Sequence, residues 1–118
     1  MQAASSRLSD ILVIRPAGRI DHLNAAELGQ LLAPHIDACR SGGDKLVIDL
    51  GQIDYISSAG LRELMLVRKQ TEPQGGEIVL AGAQRVVREI LEISRFNLVF
   101  PIYDDADAAI KALGGKTR

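Results

Sequence analysis

Apolar residues in this chain fall into short continuous runs, separated by stretches in which they recur every three or four positions. The runs Ile11–Ile14, Lys45–Leu50 and Glu77–Ala81 are rich in Ile, Val and Leu and predict strands. Lys45–Leu50 is too continuous for a strand with one wet face and suits a central position. Residues 1–10 are polar and small, with a turn at Ser9-Asp10 and room for an edge strand within residues 2–7. Pro16 and Gly18 weaken the pattern after Ile14. Leu98–Ile102 reads as a last strand, placed at an edge by Pro101.

Helical spacing appears four times. After Asn24, a candidate cap, Leu28, Leu31, Leu32, Ile36 and Cys39 recur at intervals of three and four, with Pro34 predicting a kink or a break and Ser41-Gly42-Gly43 the end. From Ser58 to about Gln70, a rotation of about 100° per residue puts Gly60, Leu61, Leu64 and Val67 on one side and Arg62, Leu66 and Lys69 on the other. Pro73–Gly76 then forms a turn. Arg85–Ile93 carries Val86, Val87, Ile90 and Leu91 at helical spacing. A final helix, capped by Asp104 or Asp105, runs through Leu113, and 114–118 reads as a frayed tail.

Strands first, then helix and strand in alternation, argue for an α/β layer with mostly parallel pairing and an antiparallel strand at the start, of about five strands and about four helices. No internal repeat or linker interrupts it, and 118 residues make one domain spanning 1–118. A net charge of −1 and an aromatic content of 3% leave neither an electrostatic footprint nor a stacking platform for nucleic acid. One cysteine, Cys39, forms no internal disulfide, no signal pattern opens the chain, and no apolar run is long enough to span a bilayer. These features predict a cytoplasmic protein without membrane insertion.

The junction Leu46–Arg62 holds the candidate chemistry. An apolar run ends at Asp49-Leu50, a short polar loop and Tyr55-Ile56 follow, and then come Ser57, Ser58, Ala59 and Gly60 at the start of a helix. The first turn of a helix has N–H groups without intrahelical partners, so it favours a capping hydroxyl or an anion. Either serine can supply the cap. No capping box helps, because Gly60 and Leu61 stand where Glu or Gln is needed. Gly60 costs about 1 kcal/mol relative to alanine in a helix, which points to close approach of either the sheet or a partner.

Tyr55–Arg62, preceded by Leu46–Leu50, resembles the signature of STAS domains, in particular the bacterial anti-sigma factor antagonists. Gly18-Arg19-Ile20-Asp21 is a second point of resemblance, and the shared pattern extends from about Ile11 to Leu113. The resemblance implies a STAS fold whose strand-to-helix junction carries a serine phosphorylated by a partner kinase. Aligning on Gly60-Leu61 puts that acceptor at Ser58, with Ser57 as runner-up; Ser57 and Ala59 stand where many members have aspartate and serine or threonine. Asp21 is implied to lie near the acceptor, where it accepts a hydrogen bond from the unmodified hydroxyl and repels a phosphate. The implied partners are an anti-sigma factor that is also a GHKL-type serine kinase, and a serine phosphatase that resets the switch. ATP and magnesium then belong to the kinase, and this chain needs no cofactor. The implied partner surface is the outer face of the helix after Ser58, with Arg62, Leu66 and Lys69, together with the turn at Asp21 and His22. Leu66 lies roughly 160° around the helix from Leu64, away from the buried stripe. An adaptor subunit of a transporter-associated or larger signalling complex is the alternative within the same family.

An enzyme needs a base beside one of the serines, and the histidines are His22 and His35. His35 falls mid-helix beside Pro34, His22 at a strand end from which it can face Ser58. With no G-x-S-x-G elbow, no phosphate-binding glycine motif and no full nucleophile–base–orienter set, the sequence predicts no catalysis. Asp21, Asp49 and Asp54 suggest a metal only weakly; a solvated cap or turn accounts for Asp54 and the close of a strand for Asp49, and no metal site is expected.

Overall fold

The computed structural model describes residues 1–114. Of the expected tail, residues 115–118 lie outside them. Ten regular elements follow in order: β1 (Ala3–Leu8), β2 (Ile11–Ile20), α1 (Ala25–Leu32), β3 (Lys45–Asp49), β4 (Gln52–Ile56), α2 (Ser58–Thr71), β5 (Ile78–Ala81), α3 (Arg85–Ile93), β6 (Ile102–Tyr103) and α4 (Ala106–Ala112). β1 folds back antiparallel on β2 through the Ser9-Asp10 turn, and every other pairing is parallel. The order is β1-β2-β3-β5-β6, with β4 paired to β2.

The continuous apolar runs are explained by burial on both sheet faces. On one, Leu12, Ile14, Leu46, Ile48 and Leu80 pack with residues of α1, α2 and α3. On the other, Ile11, Val13, Val47, Val79 and Ala81 pack against Ala109, Ile110 and Leu113 at α4. Alternate residues of β2, β3 and β5 therefore face two dry layers, as a parallel sheet covered by helices requires.

Three sequence expectations are corrected. β2 does not fade after Ile14 but runs through Pro16 to Ile20. Its first part pairs with β3 and its last part with β4, leaving Pro16 without a parallel partner. The Ala17 N–H donates towards β1, to Gln2 O at 2.9 Å, so by alternation the missing N–H of Pro16 points the other way, into the gap between β3 and β4. Gly18, at φ +103°, then takes up the register shift at Gly18/Arg19.

The second correction is that the sheet has six strands, because the supposed polar loop before Tyr55 is β4. Third, the segment expected as a strand from Leu98 is largely a 3₁₀ turn, Phe96–Leu98, and only Ile102-Tyr103 pairs with β5. Phe96 and Phe100 are both buried, with ring centroids 5.9 Å apart, and their spacing of four suits a coil of chain, not an extended one. Pro34 acts as expected: α1 stops at Leu32 and gives way to a 3₁₀ turn, Ala33–His35.

Candidate functional site

The C-terminal ends of β2 and β4 lie side by side, with Ile20 paired to Ile56, and this register brings the two candidate junctions together. The Ser57 N–H donates to Ile20 O at 2.8 Å, tying the start of α2 to the end of β2. Ser57 is the N-cap: its backbone is extended and its Oγ accepts from the Gly60 N–H at 3.2 Å. Ser58 is the first helical residue and exposed, and its hydroxyl has no hydrogen-bond partner among the described residues.

Gly60 is buried beneath this pair. A Cβ at Gly60 would lie 2.6 Å from Ile20 Cγ2 and 2.8 Å from Ile56 Cγ1. Close approach of the sheet is therefore what the glycine permits: the first turn of α2 is seated directly on the ends of β2 and β4. Beyond it, Leu61, Leu64, Val67 and Thr71 are buried, whereas Arg62, Leu66 and Lys69 are exposed, as the helical spacing predicts. Leu66, 41% exposed, lines a groove with Ala26, Gly29 and Gln30 of α1. About 100° per residue places Ser58, Arg62, Met65, Leu66 and Lys69 along one outer face. A mostly apolar groove opens beside Ser58, formed by Leu61, Arg62 and Met65 of α2 with Ser94 and Phe96.

Asp21 lies at the same sheet end but is occupied. Its Oδ1 accepts from the N–H groups of Leu23 at 2.9 Å and Asn24 at 3.2 Å, and its Oδ2 faces Arg19 Nε at 3.7 Å. Asn24 is at the cap position of α1 without capping it; its Oδ1 accepts from the Asp21 N–H and its Nδ2 donates to Arg19 O. The implied hydrogen bond from Ser58 to Asp21 is not among those of the described residues; the carboxylate braces its own turn. His22 is exposed, and among the described residues it makes no hydrogen bond to Ser57 or Ser58.

Among the described residues no group of three His, Cys, Asp or Glu side chains is gathered as a metal site, and no helix is long and apolar enough to cross a membrane. Asp49 accepts from the Gly51 N–H at 2.9 Å and pairs with Arg15 at 3.3 Å, a strand-end role, and Asp54 is exposed. Burial pushes the Cys39 thiol up from its usual range, which leaves it an unreactive core residue.

Sequence reasoning missed Arg19, whose guanidinium lies 4.3 Å from the centre of the Tyr55 ring and adds a cation to this end of the sheet. It also missed Met65, Ser94 and Phe96. Only the four-residue interval between Phe96 and Phe100 hinted that the chain coils back there.

Residues 2–109 match the family model of the STAS domain. The chain is 38% identical over 112 residues to the protein of Bordetella bronchiseptica named "Putative anti-sigma factor antagonist BtrV", covering 95% of this chain and 94% of that one. Its fold is similar to that of an anti-sigma factor antagonist from Mycobacterium paratuberculosis, with a TM-score of 0.81, 22% identity and coverage of 94% and 92%. It is also similar to the unphosphorylated form of the anti-sigma factor antagonist SpoIIAA, with a TM-score of 0.73, 15% identity and coverage of 98% and 100%.

Proposed function

Because the chain belongs to the STAS family, among its anti-sigma factor antagonists, we propose that it is a cytoplasmic binding module whose affinity for an anti-sigma factor is set by phosphorylation of Ser58. In the unmodified form it binds an anti-sigma factor that is also a GHKL-type serine kinase and so releases the sigma factor. The kinase phosphorylates Ser58, binding is lost, and a serine phosphatase restores it. The chain itself performs no chemistry.

One observation carries this reading: Ser58 presents an unengaged hydroxyl at the rim of an apolar groove, on the same face as Arg62, Leu66 and Lys69. Ser57 is the poorer acceptor, since its oxygen caps α2 and its backbone is pinned to β2. A phosphate on Ser58 brings about −1.5 to −2 charges and three acceptor oxygens to the helix N-terminus. A partner packed over Ser58, Ala59 and Gly60 then has to desolvate that anion, so affinity falls without refolding.

Incubation with the cognate kinase and ATP, followed by mass spectrometric mapping, tests the assignment. Ser58→Ala is expected to abolish incorporation and to keep binding. Ser57→Ala is expected to remain a substrate while losing about 1 kcal/mol of stability with its cap. Phosphate on Ser57, with Ser58→Ala still modified, refutes the assignment.

A further inference from the structure

Strand β1 is an open edge of the sheet: all six of its residues are exposed, and it pairs with β2 alone. Its backbone groups divide by alternation. The Ala17 N–H donates to Gln2 O, so the groups of Gln2, Ala4, Ser6 and Leu8 point to β2, and those of Ala3, Ser5 and Arg7 point away from the sheet. Edge strands of natural proteins are guarded by proline, lysine, a bulge or a covering segment. β1 has none of these: its sequence is AASSRL, its register with β2 is unbroken, and its single charged residue, Arg7, is engaged by Asp44 of the same chain at 2.9 and 3.0 Å.

We propose that this edge pairs with β1 of a second copy, antiparallel about a two-fold axis at Ser5. An axis there sets Ser5 opposite the second copy's Ser5 and Ala3 opposite its Arg7, so that every outward N–H meets an outward carbonyl. An axis at Ala4 carries Arg7 past the start of the second copy's β1, and one at Ser6 carries Ala3 past its end into the Ser9-Asp10 turn. Side-chain chemistry selects the occupant. Alanine and serine on both faces give the side chains of an incoming peptide no walls to pack against, so recognition at the edge rests on the main chain. The shallow hollow lined by Gln2, Ala4, Arg15, Ala17 and Gln52 lies inward of the edge, towards β4. A flexible peptide has to be ordered residue by residue for those main-chain bonds alone, whereas β1 of a second copy is already held extended by β2. A pairing of one short strand is small, which fits a weak, concentration-dependent dimer. Ser58, Arg62, Leu66 and Lys69 lie on α2 and take no part, so the pairing is independent of the proposed switch.

Sedimentation velocity on the full chain, from about 10 µM to about 1 mM, tests the pairing. The wild type is expected to show a sedimentation coefficient that rises with concentration. Ser5→Pro removes the central outward N–H and leaves the bonds to β2 in place, and Ser5→Lys sets two cations across the axis. Each should raise the dissociation constant at least about tenfold with an unchanged circular dichroism spectrum. Cysteine cross-linking reads the register, with Cys39 buried and out of reach. Ser5→Cys should oxidise to a disulfide-linked dimer, because residues opposite each other at the axis lie about 5.5 Å apart at Cα, whereas Leu8→Cys, about 20 Å from its equivalent, should not. A wild type that stays monomeric throughout overturns the proposal, and so does association unaffected by Ser5→Lys. Leu8→Cys linking as readily as Ser5→Cys overturns the register. Should the wild type be monomeric and Ser5→Lys instead weaken binding to the anti-sigma factor, the edge belongs to that partner and self-pairing is refuted.

Discussion

Substituting Gly60 by alanine sets two effects of opposite sign against each other. A glycine inside a helix is worth about 1 kcal/mol less than alanine, so on propensity alone the change stabilises α2. The added methyl, however, would meet Ile20 Cγ2 at 2.6 Å and Ile56 Cγ1 at 2.8 Å. Both are branch carbons of β-branched side chains with essentially no exposure, stiff at χ1 and held by the sheet. Overpacking of that kind costs about 1–3 kcal/mol, and two contacts this close with stiff neighbours belong in the upper half of the range. The net expectation is destabilisation of about 1–2 kcal/mol. Gly29, in the middle of α1, provides the contrast: a Cβ there meets only the carboxylate end of Glu63, which can swing away, so Gly29→Ala should be neutral or stabilising by up to about 1 kcal/mol. Urea unfolding followed by circular dichroism measures both, as midpoints at unchanged slope. A Gly60→Ala midpoint at or above wild type would refute the account of the α2 seat, and Gly29→Ala falling as far as Gly60→Ala would show that the contacts do not discriminate.

Two further predictions concern the surface. Leu66→Ala should weaken binding to the anti-sigma factor by about 1–2 kcal/mol with the fold intact, and Lys69→Glu should slow association most at low salt; calorimetry that shows unchanged affinity for Leu66→Ala, Arg62→Glu and Lys69→Glu would place the partner elsewhere. Arg7 binds Asp44 through two hydrogen bonds of 2.9 and 3.0 Å and holds its carboxyl below the usual range, so this contribution to stability is present above the ordinary carboxylate pKa and is lost as pH falls through the depressed one. Arg7→Gln should move the Asp44 titration, followed by NMR, back towards the usual value.

The fold was legible where one signal dominated. Continuous runs such as Lys45–Leu50 announced strands buried on both faces, and the spacing of Leu61, Leu64 and Val67 announced the inner side of α2. Failure came where two signals competed. β4 alternates exposed Gln52 and Asp54 with buried Ile53, but Ile56, three residues after Ile53, is buried too and breaks the period of two, and five residues between a Leu50-Gly51 turn and a helix cap also read as loop. Pro16 argued against a strand because a proline costs a ladder bond, yet here it falls where β2 changes partners and no such bond is available to lose. Helical spacing placed Arg62, Leu66 and Lys69 on the exposed face of α2, while the occupation of Asp21 by the Leu23 and Asn24 N–H groups depends on a turn conformation that side-chain pattern does not encode.

The rigidity of the α2 seat bears directly on how the proposed switch operates. Ser57 is tied to Ile20, Gly60 rests on two stiff isoleucines, and Leu64 and Val67 are buried, so the backbone beneath Ser58 has little room to respond to a phosphate. The helix N-terminus itself welcomes the anion, by about 0.3–1 kcal/mol at an exposed site, so modification has no reason to melt α2. Arg62, one turn further along the same face, is placed to approach the phosphate, which would withdraw from the partner a cation it otherwise meets. A change of surface charge on an unchanged scaffold predicts that the phosphorylated chain keeps its stability while its affinity collapses. Unfolding curves of the two forms separate this from an order–disorder switch: a loss of stability on phosphorylation comparable to the loss of binding energy would mean that the first turn of α2, not the charge on it, is what the partner reads.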